Sequence, residues 1–390
     1  MKRKIIICLL IVICFVVLPI TTTIADNESK EENLLKEEVD KQLEDFDFGQ
    51  LNDLLESGEI NITNEQTFKE IVENLINGKY TLSASSILNK VINLLIGDIS
   101  SIIPIIFMVL AIAILSNIVN SFQPSAESKS IAEITHFVCM SIVMVLLVVV
   151  IKNAYTMTSN TISKLSNQME ILFPILLSLM TATGSVVSVG IYQPIVAVLA
   201  SGVIIIFTKI IYPIFLLSLI FVVLNNLSSQ IKLNKFISFL GSCFKWIVGF
   251  VFTIFAGVLT IQGISAGKYD TISLKATRFA MKSYIPIIGG YLSDGLDYAL
   301  LSGLIIKNAI GVAGLILLVS TILSPIVYLL ILKLGLQFVA GVVEPIGNSK
   351  MSSLCEELSK ILIYPIIVIL TISFMFLLAV GLIMCTMSGV

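Results

Sequence analysis

The sequence predicts an all-α polytopic membrane protein: a leader, a small acidic helical region outside the bilayer, and about eight transmembrane helices. Three observations carry this. First, the chain is 56% hydrophobic and only 13% charged, with a mean hydropathy of +1.00. Soluble domains are typically about 25% charged. So little charge cannot cover a soluble body of 390 residues, whereas lipid solvates apolar side chains directly. Second, charge is segregated. Residues 26–79 hold 16 acids and 5 bases, a net of −11, while residues 80–390 hold 10 acids and 16 bases, a net of +6. Third, long apolar runs begin near residue 99 and fill the rest of the chain.

Residues 1–25 have a basic start (Lys2, Arg3, Lys4), an apolar core from Ile5 to Ile20 and a short polar exit ending at Ala25. That is the layout of a signal peptide, with cleavage expected after Ala25. The alternative is an uncleaved first helix, for which the apolar core is short. Residues 26–98 read as an acidic extracytoplasmic helical region. Leu34, Leu35, Val39, Leu43 and Phe46 recur at helical spacing, Leu51, Leu54 and Leu55 continue it, and Phe68, Ile71, Val72, Leu75 and Ile76 form another face. Thr67 or Asn64 is placed to cap that last helix. A region this small buries too little to stand alone, so it is expected to pack on a partner or on the membrane domain. Its acidity argues against nucleic acid as a ligand.

Residues 99–390 form the polytopic domain. Spans are predicted near 101–120, 132–152, 170–190, 194–224, 238–264, 301–323, 325–343 and 361–386. The 194–224 run exceeds the roughly 20 residues a crossing needs, so it is either one tilted helix or a helix broken at Pro213. Phe173-Pro174-Ile175, Tyr212-Pro213-Ile214 and Tyr364-Pro365-Ile366 resemble one another. Proline in a first turn and an aromatic at the interface explain that; a degenerate repeat of the kind found in transporters is the alternative. With residues 26–90 exported, the basic loops 265–300 and 344–360 fall in the cytoplasm, as the positive-inside rule asks, although Lys232 and Lys235 then fall outside.

Six cysteines lie mostly in or beside apolar runs with no metal spacing, and read as small apolar residues. There is no phosphate loop, HExxH, CxxC or GxSxG. His136, the one histidine, heads a span and reads as interfacial. No catalytic residue, metal or cofactor is expected, and if the chain needs energy from ATP a partner supplies it.

The informative stretch is 275–314. It begins basic and amphipathic (Lys275, Arg278, Lys282) and breaks at Pro286 and Gly289-Gly290. It then carries Asp294 and Asp297 three apart on one helical face, with Lys307 and Asn308 following. Backbone broken in this way survives at membrane depth only when buried in protein or lining a wet cavity, and intramembrane acids are costly. One reading makes Pro286, Gly289, Gly290, Asp294, Asp297, Lys307 and Asn308 a pore-lining or gating element. The other makes 275–300 an interfacial helix whose acids are simply wet. Lys209 and Lys333 are charges inside apolar runs, which pair across helices or snorkel.

Lys275-Ala276-Thr277-Arg278, the run Ile285-Pro286-Ile287-Ile288-Gly289-Gly290-Tyr291-Leu292-Ser293-Asp294, and Ile306-Lys307-Asn308-Ala309-Ile310-Gly311 resemble the stage III sporulation protein AE family of endospore-forming bacteria. The layout of leader, acidic region and polytopic body fits along the full chain. The resemblance implies a role in sporulation after engulfment, in the mother-cell membrane around the forespore. The implied partners are the other subunits of an eight-protein channel assembly, among them an ATPase and ring-forming proteins, together with a forespore protein, membrane lipid and further copies of the chain. The expected function is therefore a non-enzymatic membrane subunit of a secretion-like channel or feeding tube that sustains late forespore gene expression. The alternatives are a self-contained secondary transporter using intramembrane charges, and a membrane anchor acting through residues 26–90.

Overall fold

The computed structural model describes residues 38–39, 41–43, 48–56, 66–79, 84–121, 128–227, 232–284, 289–346 and 349–386. The leader, Asn64 and Pro286 lie outside them. Every regular element among the described residues is helical, so the fold is all-α.

Short helices precede the membrane domain, among the described residues α1 (Gly49–Glu56) and α2 (Phe68–Ile76), with helical residues also at 38–39 and 41–43. Thr67 caps α2 through a capping box: its hydroxyl accepts from the Glu70 amide at 3.3 Å, and the Glu70 carboxylate accepts from the Thr67 amide at 3.0 Å. Two of the four orphan donors at that end are thereby satisfied. Val39, Leu43, Phe48, Leu51, Leu55, Phe68, Ile71 and Val72 are buried in the main core. Among the described residues the faces read from periodicity are thus the buried ones, with Leu54, Leu75 and Ile76 partly buried; Leu34, Leu35 and Phe46 lie outside the described residues. α2 packs on α8 and α1 on α4, helices of the membrane domain. Burying each of these side chains is worth about 1.5–3 kcal/mol, which a region of this size could not obtain by itself.

The membrane domain comprises α3 (Ala84–Ser121), α4 (Ser128–Ala182), α5 (Val186–Ala197), α6 (Tyr212–Leu227), α7 (Asn234–Tyr284), α8 (Gly289–Val343), α9 (Ser349–Ile361) and α10 (Ile363–Cys385). Among the described residues, six helices are long and apolar enough to cross a membrane. The predicted runs do not map one to one onto these helices: 132–152 and the first part of 170–190 lie on α4, 170–190 then crosses the Gly184 turn into α5, and 301–323 and 325–343 both lie on α8. α4 and α8 each have 55 residues, or about 82 Å at 1.5 Å per residue. That is more than twice the roughly 30 Å of a hydrocarbon core.

The run 194–224 is helical throughout, with π-helical turns at Val198–Val203 and Phe207–Ile211. The second turn has a cause. Pro213 has no N–H for the Lys209 carbonyl, and its ring crowds that carbonyl. A wider π turn relieves the clash without ending the helix. Pro213 therefore remodels this helix rather than breaking it.

α8 is the hub. It packs against α2, α3, α4, α7, α9 and α10, and 72% of its most apolar stretch is buried by protein. The corresponding share for α3 is 22%, and Phe107, Leu115 and Ile118 on α3 are exposed, as lipid-facing side chains are. α8 and α4 run antiparallel: Gly303 faces Thr183, Gly314 faces Leu172, and Thr321 meets Gln168. A Cβ on Gly303 would stand 2.7 Å from the Thr183 methyl, so this approach requires glycine.

The α4–α5 turn is closed by a Schellman motif. Ser185 N–H donates to the Met180 carbonyl at 2.8 Å and Gly184 N–H to the Thr181 carbonyl at 3.0 Å. Gly184 has φ +80°, a left-handed conformation that favours glycine.

Candidate functional site

Two buried charges of opposite sign sit near this turn, and each is answered by a helix end. Asp270 of α7 is 1% exposed. Its carboxylate accepts from the amides of Val187 at 3.0 Å and Ser188 at 3.2 Å, and from the Ser188 hydroxyl. It therefore caps the N-terminus of α5, where orphan amides and the helix dipole favour an anion. Lys307 of α8 is 0% exposed. Its Nζ donates to the Thr386 carbonyl at 2.6 Å, at the C-cap of α10, where the dipole favours a cation. Tyr192 of α5, itself buried, places its hydroxyl against the Thr386 side chain. One polar cluster thus ties α5, α7, α8 and α10 together inside an apolar body.

The other residues singled out from sequence are distributed as follows. Asp297 pairs with Arg278, with Nε to Oδ1 at 2.8 Å and both groups partly exposed. The pair joins the end of α7 to the start of α8 across residues 285–288. α7 is described to Tyr284 and α8 from Gly289, with Gly289 and Gly290 in its first turn; Pro286 lies between them, outside the described residues. Gly290 is exposed and Asp294 lies in the first turns of α8. Asn308 of α8 has a buried Oδ1 with no hydrogen-bond partner among the described residues. Lys209 is exposed within the second π turn, and Lys333 is half-buried with an interaction partner of its own. The structure brings Arg278 to Asp297, and Lys307 to the end of α10. Lys209 and Lys333 stand apart in sequence and in fold from that cluster. His136 falls in α4. Cys139 and Cys355 are buried, Cys243 is half-buried and Cys385 is exposed, all as free thiols; Cys8 and Cys14 lie outside the described residues.

A second polar feature lies midway along α4. Asn153, Thr156, Asn160, Thr161 and Lys164 recur at positions i, i+3, i+7, i+8 and i+11. With Met157, and with Thr321 and Pro325 of α8, they line an open cleft of about 340 Å³. Next to it, Gln168 is 1% exposed and donates from Nε2 to the Thr321 hydroxyl. Gln168 Oε1 is buried with no partner among the described residues.

Comparison with known proteins gives a family. The model of the stage III sporulation protein AE family matches residues 66–388. The chain belongs to that family. Stage III sporulation protein AE of Bacillus subtilis (strain 168) is 26% identical over 279 residues, covering 70% of this chain and 68% of the relative. No solved structure matches. The match begins at Gln66, just before α2, and runs to the end of α10, so it spans the α2–α8 contact as well as the membrane domain. As a member of the stage III sporulation protein AE family the chain has a role in sporulation, and its apolar helices make it a membrane protein.

Sequence reasoning missed two features of this family member. Asp270 falls in the stretch 265–300 that reads as a basic loop, whereas α7 continues as a helix through it to Tyr284, and nothing in its own neighbourhood signals a cap. The signal was the Gly184-Ser185 turn, which makes α5 a helix start 85 residues away with no capping side chain of its own: the Ser185 side chain makes no cap bond. The cleft stripe was hidden because 152–170 reads as a connection between two spans. Its polar residues are spaced at helical period, which was the available clue.

Proposed function

We propose that the chain is a non-enzymatic membrane subunit of a secretion-like channel or feeding tube between mother cell and forespore. It sits in the mother-cell membrane around the forespore and works with a separate ATPase and ring-forming subunits. Family membership supplies the sporulation role. The observation that carries the choice of a channel subunit over a self-contained transporter is how the buried charges are used. Asp270 and Lys307 are each committed to a helix terminus, and Asp297 to Arg278. A coupling carboxylate has to exchange its proton or ion in each cycle, which a carboxylate holding a helix end cannot do without opening the fold. The stretch from Arg278 to Asp297, with Pro286 and Gly289-Gly290 in its sequence, remains the candidate gating element in this reading.

The test is made in the native sporulating host. Asp294→Asn with Asp297→Asn, and separately Arg278→Asp, should leave membrane levels of the protein near normal and reduce late forespore gene expression. The exchanged pair Arg278→Asp with Asp297→Arg should recover part of it. Normal spore formation by all of these strains would sink the gating assignment. Normal spore formation without the protein would sink the channel reading itself.

A further inference from the structure

A narrow pocket opens where α4, the run Ile204–Leu227, α7 and α10 meet. Six aromatic side chains form its body: Tyr155, Phe207, Tyr212, Phe215, Phe244 and Tyr364. Tyr155 packs on Phe215 with ring centroids 6.4 Å apart, and Phe244 stacks on Tyr364 at 4.3 Å. The second π turn, Phe207–Ile211, supplies one wall, and turns of this kind are frequent at functional sites. The small polar residues of the lining gather at one end. α4 and the run that follows the Gly184 turn are antiparallel. Tyr155 therefore meets Tyr212 and Phe215, while Thr158 and Ser159 lie level with Thr208.

Lys209 stands at this polar end, next to Thr208. It is exposed and makes no hydrogen bond or ion pair among the described residues. No lining residue of the pocket is acidic. Ile205 and Ile210 beside it are exposed as well, so the cation faces lipid rather than another helix. Its depth follows from the length of the helix. α6 ends at Leu227, beside the polar turn of Asn225 and Asn226. Lys209 lies about 27 Å before that end at 1.5 Å per residue, close to the roughly 30 Å of a hydrocarbon core. With Leu227 at one interface, the Lys209 ammonium reaches the headgroups of the opposite leaflet. Tyr212 and Phe215 then lie below it, in the hydrocarbon. An unpaired cation at headgroup depth, with an apolar slot running inward from it, is complementary to a lipid that carries a negative headgroup and an acyl chain.

We propose that this pocket is a binding site for an anionic phospholipid, with the phosphate on Lys209 beside Ser159 and Thr208 and a segment of one acyl chain among Tyr155, Tyr212 and Phe215. The chain fills the junction of four helices, so the lipid is part of what holds the membrane domain together. The site stands apart from the channel reading, because it faces lipid and not solute.

The full chain is tested in nanodiscs of phosphatidylcholine that carry a small fraction of a photoactivatable lipid, with a diazirine in one acyl chain. The probe is either phosphatidylglycerol or phosphatidylcholine. After photolysis, peptide mapping should place the phosphatidylglycerol adduct within 155–162 and 207–215. These segments should be labelled about fivefold more by phosphatidylglycerol than by phosphatidylcholine, the preference that one lysine gives at an anionic headgroup. Lys209→Gln should remove the preference and Lys209→Arg should keep it. Lys235 is exposed in the first turn of α7, at the far end of the crossing, and Lys235→Gln should leave the preference unchanged. A second measurement serves where a variant enters nanodiscs poorly. Added phosphatidylglycerol should raise the melting temperature of the detergent-solubilised wild type more than phosphatidylcholine does, and Lys209→Gln should lose that difference. Equal labelling by the two probes, a preference untouched by Lys209→Gln, or adducts on the exposed face of α3 in place of the pocket would each overturn the proposal. So would a carbodiimide cross-link in native membranes from Lys209 to a carboxylate of another chain, which would give the cation a protein partner instead of a lipid.

Discussion

At the scale of single residues, the charges buried in this chain are best understood through the helix ends they serve. Removing one partner of a buried polar contact costs more than the contact is worth, because the other is left dry. Asp270→Ala strips the α5 terminus of its acceptor and should cost about 1–2 kcal/mol, as loss of a capping side chain does. Asp270→Asn keeps an acceptor and loses the charge, so it should fall between the two. Melting of the detergent-solubilised protein reads both; equal melting temperatures for wild type and Asp270→Ala would refute the cap. Lys307 is the matching case at α10. Lys307→Met leaves the Thr386 carbonyl without its donor and should cost about 1–3 kcal/mol in the same melting measurement, whereas Lys307→Glu places an anion against that carbonyl and should prevent accumulation in the membrane. Lys307 itself was visible in the sequence as an intramembrane charge. Its role was not, because the Thr386 carbonyl lies 79 residues away and is a backbone group that no side-chain pattern announces.

At the scale of elements, length and continuity are what the structure changes. Pro174 and Pro325 lie inside α4 and α8 without ending them, so runs that read as separate crossings are joined. Proline removes one hydrogen bond and crowds one carbonyl, a local cost that extensive packing along both helices outweighs. Elsewhere the local chemistry is decisive. Gly184 needs positive φ, and a Cβ there would come within 2.8 Å of Leu274 Cδ2. Gly184→Ala should therefore destabilise by at least the 1–2 kcal/mol of a left-handed non-glycine residue. Adding Leu274→Ala should relieve the steric part and not the conformational part, so a double mutant restored fully to wild-type stability would contradict the strain argument. The Thr67–Glu70 capping box and the periodic face Phe68, Ile71, Val72 were both legible, because each is a pattern within ten residues of sequence.

At the scale of the whole molecule, apolar character has two sources. α3 is apolar because lipid is its neighbour, and α8 because protein surrounds it on most sides. Hydropathy gives the two the same appearance. The described part of the acidic N-terminal region is likewise packed into the folded body. Phe68 is fully buried in the main core, so Phe68→Ala should cost about 3–5 kcal/mol and lower the melting temperature of the entire membrane domain. A change confined to proteolysis of residues 26–79, with the membrane domain melting as before, would show that the two are independent.

The sequence alone determined the class of this protein, the buried faces of its acidic N-terminal helices, Thr67 as one of two candidate caps, and, through one motif-bearing stretch, its family. Composition and short-range periodicity carry that information, since each is set by solvent or by neighbours in the chain. Tertiary structure decided the rest: that α4 and α8 are single antiparallel helices, that Asp270 and Lys307 serve distant helix ends, and that a stripe read as a connection faces Thr321 and Pro325 across a polar cleft. Those features depend on which surfaces meet across about 80 to 170 residues of chain, and the energy of such contacts is written in the packing rather than in any local pattern.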